Sequence, residues 1–234
     1  MQNAGVDSSL IAAAHELKTP LVLLRQLAIE LESTTDQKRR MEIIRRIRLT
    51  TERSLRLTDN LTKIVRLQDA MFEMEPIQLP GLCREVVEEL SPLTKSMGQS
   101  FQIKTSRSPS VAVGHRELIR SLMMGLIDNA LQYNASNRAV QIDTRVSGGE
   151  ARISIRDFGP VMDLGQYRKL EKHLGSQAMP ISSRPLSSGL GLMIAGRLAT
   201  TMKGRLSVTR HRSGGMTFAV HLPISRQLSL MDLS

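Results

Sequence analysis

The chain has 234 residues, enough for two small domains rather than one large one. Hydrophobic residues make up 41% and aromatics only 3%, with no Trp, so the cores must be built from Leu, Ile, Val, Ala and Met. The formal net charge of +10 points to anionic partners such as nucleic acid, a membrane surface or phosphate ligands, while the single Cys83 excludes an internal disulfide framework and fits a reducing cytosol. No apolar run approaches the roughly 18 residues of a membrane span, and no signal-peptide pattern opens the chain. A soluble chain is expected, with any membrane anchor or sensor region lying before residue 1 or in another chain.

The first 75 residues read as two long helices. Ala14, Leu17, Leu21, Leu24, Ala28 and Leu31 step by three and four, as do Ile43, Ile47, Thr50, Ser54, Leu57, Leu61 and Ile64. Ser33-Thr34-Thr35-Asp36 breaks the period and can cap the second helix. So short a break predicts an antiparallel hairpin, and a lone hairpin has little core, so a homodimer closing a four-helix bundle is expected. Much of the positive charge falls between Lys38 and Arg66, as on the solvated face of an amphipathic helix.

Pro76 and Pro80 mark a boundary, and the pattern then becomes mixed. Residues 80–97 read as a helix with Leu82, Val86 and Leu90 on one face, 99–105 and 110–113 as short strands, and 115–133 as a second helix. Residues 139–146 and 151–156 alternate as strands joined by Ser147-Gly148-Gly149. Residues 158–188 have weak periodicity, 189–202 are helical, and 204–210 with 216–222 form a last hairpin around Ser213-Gly214-Gly215. The resulting division is 1–75 helical hairpin, 76–226 mixed domain and 227–234 tail.

Four short stretches carry chemistry. His15-Glu16-Leu17-Lys18-Thr19-Pro20 lies on the heptad-patterned first helix. Imidazole is neutral near pH 7 and nucleophilic at one nitrogen, and Glu16 can accept from the other N–H and fix the tautomer. Thr19 lies one turn on, and Pro20 removes a backbone donor. Leu126-Ile127-Asp128-Asn129-Ala130-Leu131-Gln132-Tyr133 closes the 115–133 helix, and Asp157-Phe158-Gly159 directly follows a strand. Ser188-Gly189-Leu190-Gly191-Leu192 opens a helix, where backbone N–H groups and the positive helix end favour phosphate.

In this order the four stretches resemble the phospho-accepting motif, asparagine box and two glycine boxes of sensor histidine kinases of two-component systems, over roughly residues 8–224. The resemblance implies a dimeric helical hairpin followed by the α+β sandwich of the GHKL ATPases, shared with gyrase and the Hsp90 chaperones. It also implies that His15 is phosphorylated from ATP and passes the phosphoryl group to the receiver domain of a separate response regulator, with Thr19 positioning a water for the reverse dephosphorylation. Asn129 would supply a ligand to Mg²⁺, Tyr133 would lie against adenine, Asp157 with Gly159 would receive the adenine amino group, and Gly189, Gly191 and Leu192 would hold phosphate. A cytoplasmic location is implied, with no nucleic-acid partner and contact with a membrane only through a sensor region absent from this chain.

Some positions depart from the family pattern. Gly125 stands for a usual asparagine, Gln132 for a basic residue, Val161 for a glycine and Ser187 for a glycine. Tyr167, Leu170 and His173 take the place of a phenylalanine box, and Arg168, Lys169, Lys172 and Arg184 offer substitute charge. These departures favour a second reading, a scaffold or regulator phosphatase with weak nucleotide binding. A gyrase-type ATPase ranks last, because Gly125 occupies the position of its general-base carboxylate.

Overall fold

The computed structural model describes residues 4–66, 73–105, 110–135, 137–175 and 190–225; within the first two helices the side chains of 4–17 and many of 53–66 lie outside the described set. The chain divides into two compact units, Met1–Asp69 and Ala70–Ser234.

The first unit is a hairpin of α1 (Ala4–Ser33) and α2 (Gln37–Arg66). α1 runs unbroken through Pro20. Asp36 caps α2, accepting from the backbone N–H of Lys38 at 3.2 Å and of Arg39 at 3.3 Å. Two basic residues of the charge run stitch the turn. Arg40 donates to the carbonyls of Leu31 and Thr34, both at 2.9 Å, and Arg39 bridges Glu30 and Glu42. Leu27 and Ile43 are fully buried between the helices. The anticipated seam is therefore split: Ile43 packs inside the hairpin, whereas Leu21 is 60% exposed and Ala28 also faces solvent.

The second unit is an α+β sandwich. Its main sheet runs β2 (Phe101–Thr105), β4 (Val140–Ser147), β5 (Glu150–Arg156), β7 (Met216–Pro223), β6 (Arg205–Arg210). β2 and β4 pair in parallel and the remaining neighbours are antiparallel. Alternation sets the two faces: Val140, Ile142 and Thr144 are buried while Gln141, Asp143 and Arg145 stay partly or fully exposed. The buried face lies under α3 (Leu79–Ser96), α4 (Arg116–Tyr133) and α6 (Leu190–Thr201). Leu82, Val86 and Leu90 of α3 enter this core, and the pairs Arg116–Glu85 and Arg120–Glu89 tie α4 to α3 at the surface.

Two elements were absent from the pattern. Glu75–Gln78 is a strand, β1, paired antiparallel with β3 (Val111–Gly114); Ile77 is its one buried residue, so alternation could not announce it. Leu164–His173 is a helix, α5, inside the stretch of weak periodicity. Asp163 caps it, accepting from Gly165 and Gln166 N–H at 2.8 and 3.1 Å, and those backbone donors hold its carboxyl below the ordinary range.

Candidate nucleotide site

The site is assembled at the C-terminal end of α4, where three backbone segments meet. β5 ends in Arg156, and Asp157 follows it with 0% exposure. The Asp157 N–H donates to the carbonyl of Met216 at 3.0 Å, and Asp157 Oδ1 accepts from Gly159 N–H at 3.0 Å. A Cβ at Gly159 would lie 2.3 Å from the carbonyl oxygen of Tyr133, so glycine is required for close approach to the helix end. Gly215 backs the same junction with φ +76°; a Cβ there would lie 2.0 Å from the carbonyl of Asp157.

Asn134, just past α4, completes the clamp. Its Oδ1 accepts from Phe158 N–H at 2.9 Å and its Nδ2 donates to the carbonyl of Arg138 at 2.5 Å. The Phe158 ring is buried beneath two guanidinium groups, Arg138 at 3.6 Å and Arg156 at 4.6 Å from its centroid. Neither Asn134 nor Gly215 stood out in the sequence as more than a turn residue. Both act across long sequence separations, which no local pattern signals.

Tyr133 and Asn129, one turn apart on α4, are half-buried. The Asn129 Nδ2 is buried with no hydrogen-bond partner among the described residues. Of the helix-opening motif, Gly189 lies outside the described residues. Gly191 is exposed with open space where a Cβ would sit, and Leu192 is buried at 4% exposure on the core side of α6.

At the departures, Gly125 likewise faces open space, Ser187 and Arg184 lie outside the described residues, and Val161 is 53% exposed. Val161 does not have positive φ, so the turn differs from one needing glycine there. Tyr167 and Leu170 are engaged in α5 packing: Leu170 is buried and the Tyr167 hydroxyl sits 2.8 Å from Glu171 Oε1 and 3.2 Å from the carbonyl of Val208. His15 and Glu16 belong to α1, but their side chains lie outside the described residues; Thr19 is exposed.

Residues 114–226 match the family model for histidine kinase-, DNA gyrase B- and HSP90-like ATPases. The sensor protein CutS of Streptomyces coelicolor is 25% identical over 214 residues, 91% of this chain and 51% of its own length. The signal transduction histidine-protein kinase BaeS of Escherichia coli is 26% identical over 219 residues, 92% of this chain and 46% of its own. Histidine kinase ThkA, solved in complex with the response regulator TrrA, superposes with a TM-score of 0.63 at 19% identity over 91% of this chain and 60% of that one. The match to the ATPase family model falls entirely within the second unit. Over about nine-tenths of its length the chain is similar to these sensor proteins, and it spans about half the length of these curated relatives.

Proposed function

We propose that the chain is a histidine autokinase, moving the γ-phosphoryl group of ATP to His15 and then to an aspartate on a separate response regulator. The observation that carries this is the glycine-tight junction of Asp157, Gly159 and Tyr133 together with the buried Asn129 Nδ2, which has no partner among the described residues. Asp157, fully buried, accepts the adenine amino group and gives base specificity. Tyr133 lies along the ring. Gly189, Gly191 and Leu192 offer backbone N–H groups to phosphate at the head of α6; with its side chain in the core, Leu192 acts through its backbone. Among the described residues no group of three His, Cys, Asp or Glu side chains could hold a metal. Mg²⁺ would therefore rest mainly on phosphate oxygens, with the Asn129 side-chain oxygen as a protein ligand.

In the first unit His15 supplies the nucleophilic nitrogen, Glu16 fixes its tautomer, and Thr19 orients a water for dephosphorylation of the regulator. The apolar residues left exposed on the hairpin, among them Leu21, Val22, Ile29 and Ile44, form the contact of a homodimeric four-helix bundle. Incubation with γ-labelled ATP tests the reading: the label should be acid-labile and base-stable and should vanish in His15→Ala. Undiminished labelling of that variant would refute it.

The empty space at Gly125 and the uncharged Gln132 favour a second reading, a scaffold or regulator phosphatase that holds adenosine well and phosphates poorly. Calorimetry with ATP, ADP and adenosine separates the two. Tight Mg²⁺-dependent ATP binding supports the kinase, and no binding of any nucleotide at millimolar concentration supports the scaffold.

A further inference from the structure

The sheet face turned away from α3, α4 and α6 carries a basic pocket, which shares with the nucleotide site only Arg156, the residue that also covers Phe158. A cavity of about 260 Å³ opens there, lined among others by Lys104, Arg145, Arg152, Ser154, Arg156 and His211. Strand register concentrates the charge. Arg145 stands directly opposite Arg152, Arg152 opposite His221, and His221 opposite Arg205, so three arginines share one cross-strand row. Like charges directly opposite each other oppose sheet formation. Asp143 pairs with Arg145 at 3.3 Å and Glu150 with Arg205 at 2.6 Å, at either end of the row. Arg152, between them, is left in surplus; burial and then Arg145 pull its pKa below the ordinary value.

The donors inside the cavity are also unanswered. Among the described residues, Arg152 Nε, Arg156 Nε and Ser154 Oγ are each buried without a hydrogen-bond partner, and Ser154 is only 4% exposed. Folding leaves few such groups, because each forfeits its water without a replacement. The three residues that carry them line one concave space with a net positive lining. A tetrahedral oxyanion would satisfy them together and relieve the Arg145–Arg152 repulsion.

We propose that this open sheet face binds a phosphate-bearing small molecule, held by the Arg152 and Arg156 guanidinium groups and the Ser154 hydroxyl at a site separate from the ATP pocket. The positive surplus favours a multiply charged phosphate over a single carboxylate.

Arginine Nε–H resonances of the full chain, titrated with inorganic phosphate and with pyrophosphate at constant ionic strength, test this. The Arg152 and Arg156 signals, assigned by their loss in Arg152→Gln and Arg156→Gln, should shift saturably, with pyrophosphate the tighter ligand. In Arg152→Gln the shift at Arg156 should need at least about tenfold more pyrophosphate, the loss expected for one charge-assisted contact. Ser154→Ala, which leaves every charge in place, should weaken binding by a smaller factor and guards against misfolding of the arginine variant. Non-saturating shifts shared with exposed arginines such as Arg168 would overturn the proposal, as would unchanged affinity in both variants. Shifts caused by an oligoglutamate peptide but by neither phosphate would also overturn it and assign the face to an acidic protein surface.

Discussion

Gly159 is where the proposed nucleotide site is most sensitive. Its missing Cβ lets the chain pass against the Tyr133 carbonyl, while its N–H orients the Asp157 carboxylate. Gly159→Val should abolish adenosine binding, measured by calorimetry, because α4 and the β5 end must separate. Gln132→Lys should act in the opposite direction, tightening ATP more than adenosine by about tenfold, the worth of one charge-assisted contact. At the other end of the chain, Thr19→Ala should slow regulator dephosphorylation much more than autophosphorylation; equal loss of both would reduce Thr19 to a residue that shapes its helix. These residues differ in how visible they were. Asp157, Gly159 and Tyr133 stood out through their resemblance to the asparagine and glycine boxes of sensor histidine kinases. Asn134 and Gly215, which lock the same junction, act through contacts with residues distant in sequence.

Among the elements, those with long, two-sided patterns were legible. The face of α3 and the β4–β5 hairpin follow directly from periodicity and from the Gly148-Gly149 turn. β1 and α5 were hidden because each buries a single apolar residue, Ile77 and Leu170, and depends on a partner elsewhere or on the Asp163 cap. The hairpin poses a sharper question, because heptad spacing gives the apolar positions without saying which meet inside a protomer. Leu27 and Ile43 do; Leu21, Val22, Ile29, Met41 and Ile44 remain outside. Ile44→Glu should therefore leave the hairpin helical while shifting light scattering from dimer to monomer, since dimerisation would bury an unpaired charge at a cost of several kcal/mol. A wild-type chain already monomeric at tens of micromolar, roughly where a modest interface should hold, would contradict the bundle.

For the molecule as a whole, acid is the expected weakness. Burial first, then Arg156, lowers the pKa of His211; burial first, then Arg205, lowers that of His221. The unfolded chain takes up these protons near the ordinary value of 6.5 while the folded chain resists them. Their contribution is complete above that value and declines below it, until the folded pKa values are reached. Glu150, drawn down chiefly by its bond to Arg205, adds a loss at still lower pH, from its unfolded value through its folded one. The melting temperature should fall as the pH drops below about 6.5, and His221→Gln should flatten that slope. Cys83 reports on folding differently. Burial pushes its thiol up to about 12, so alkylation at neutral pH should proceed only as fast as the fold opens.

The backbone at Gly175, with φ +72°, lies directly on Gly196 of α6: a Cβ on Gly196 would come within 2.3 Å of the Gly175 Cα. Any side chain at Gly196 would therefore have to push the Gly175 backbone off the helix, so the spacing between the two segments is set by the absence of both side chains.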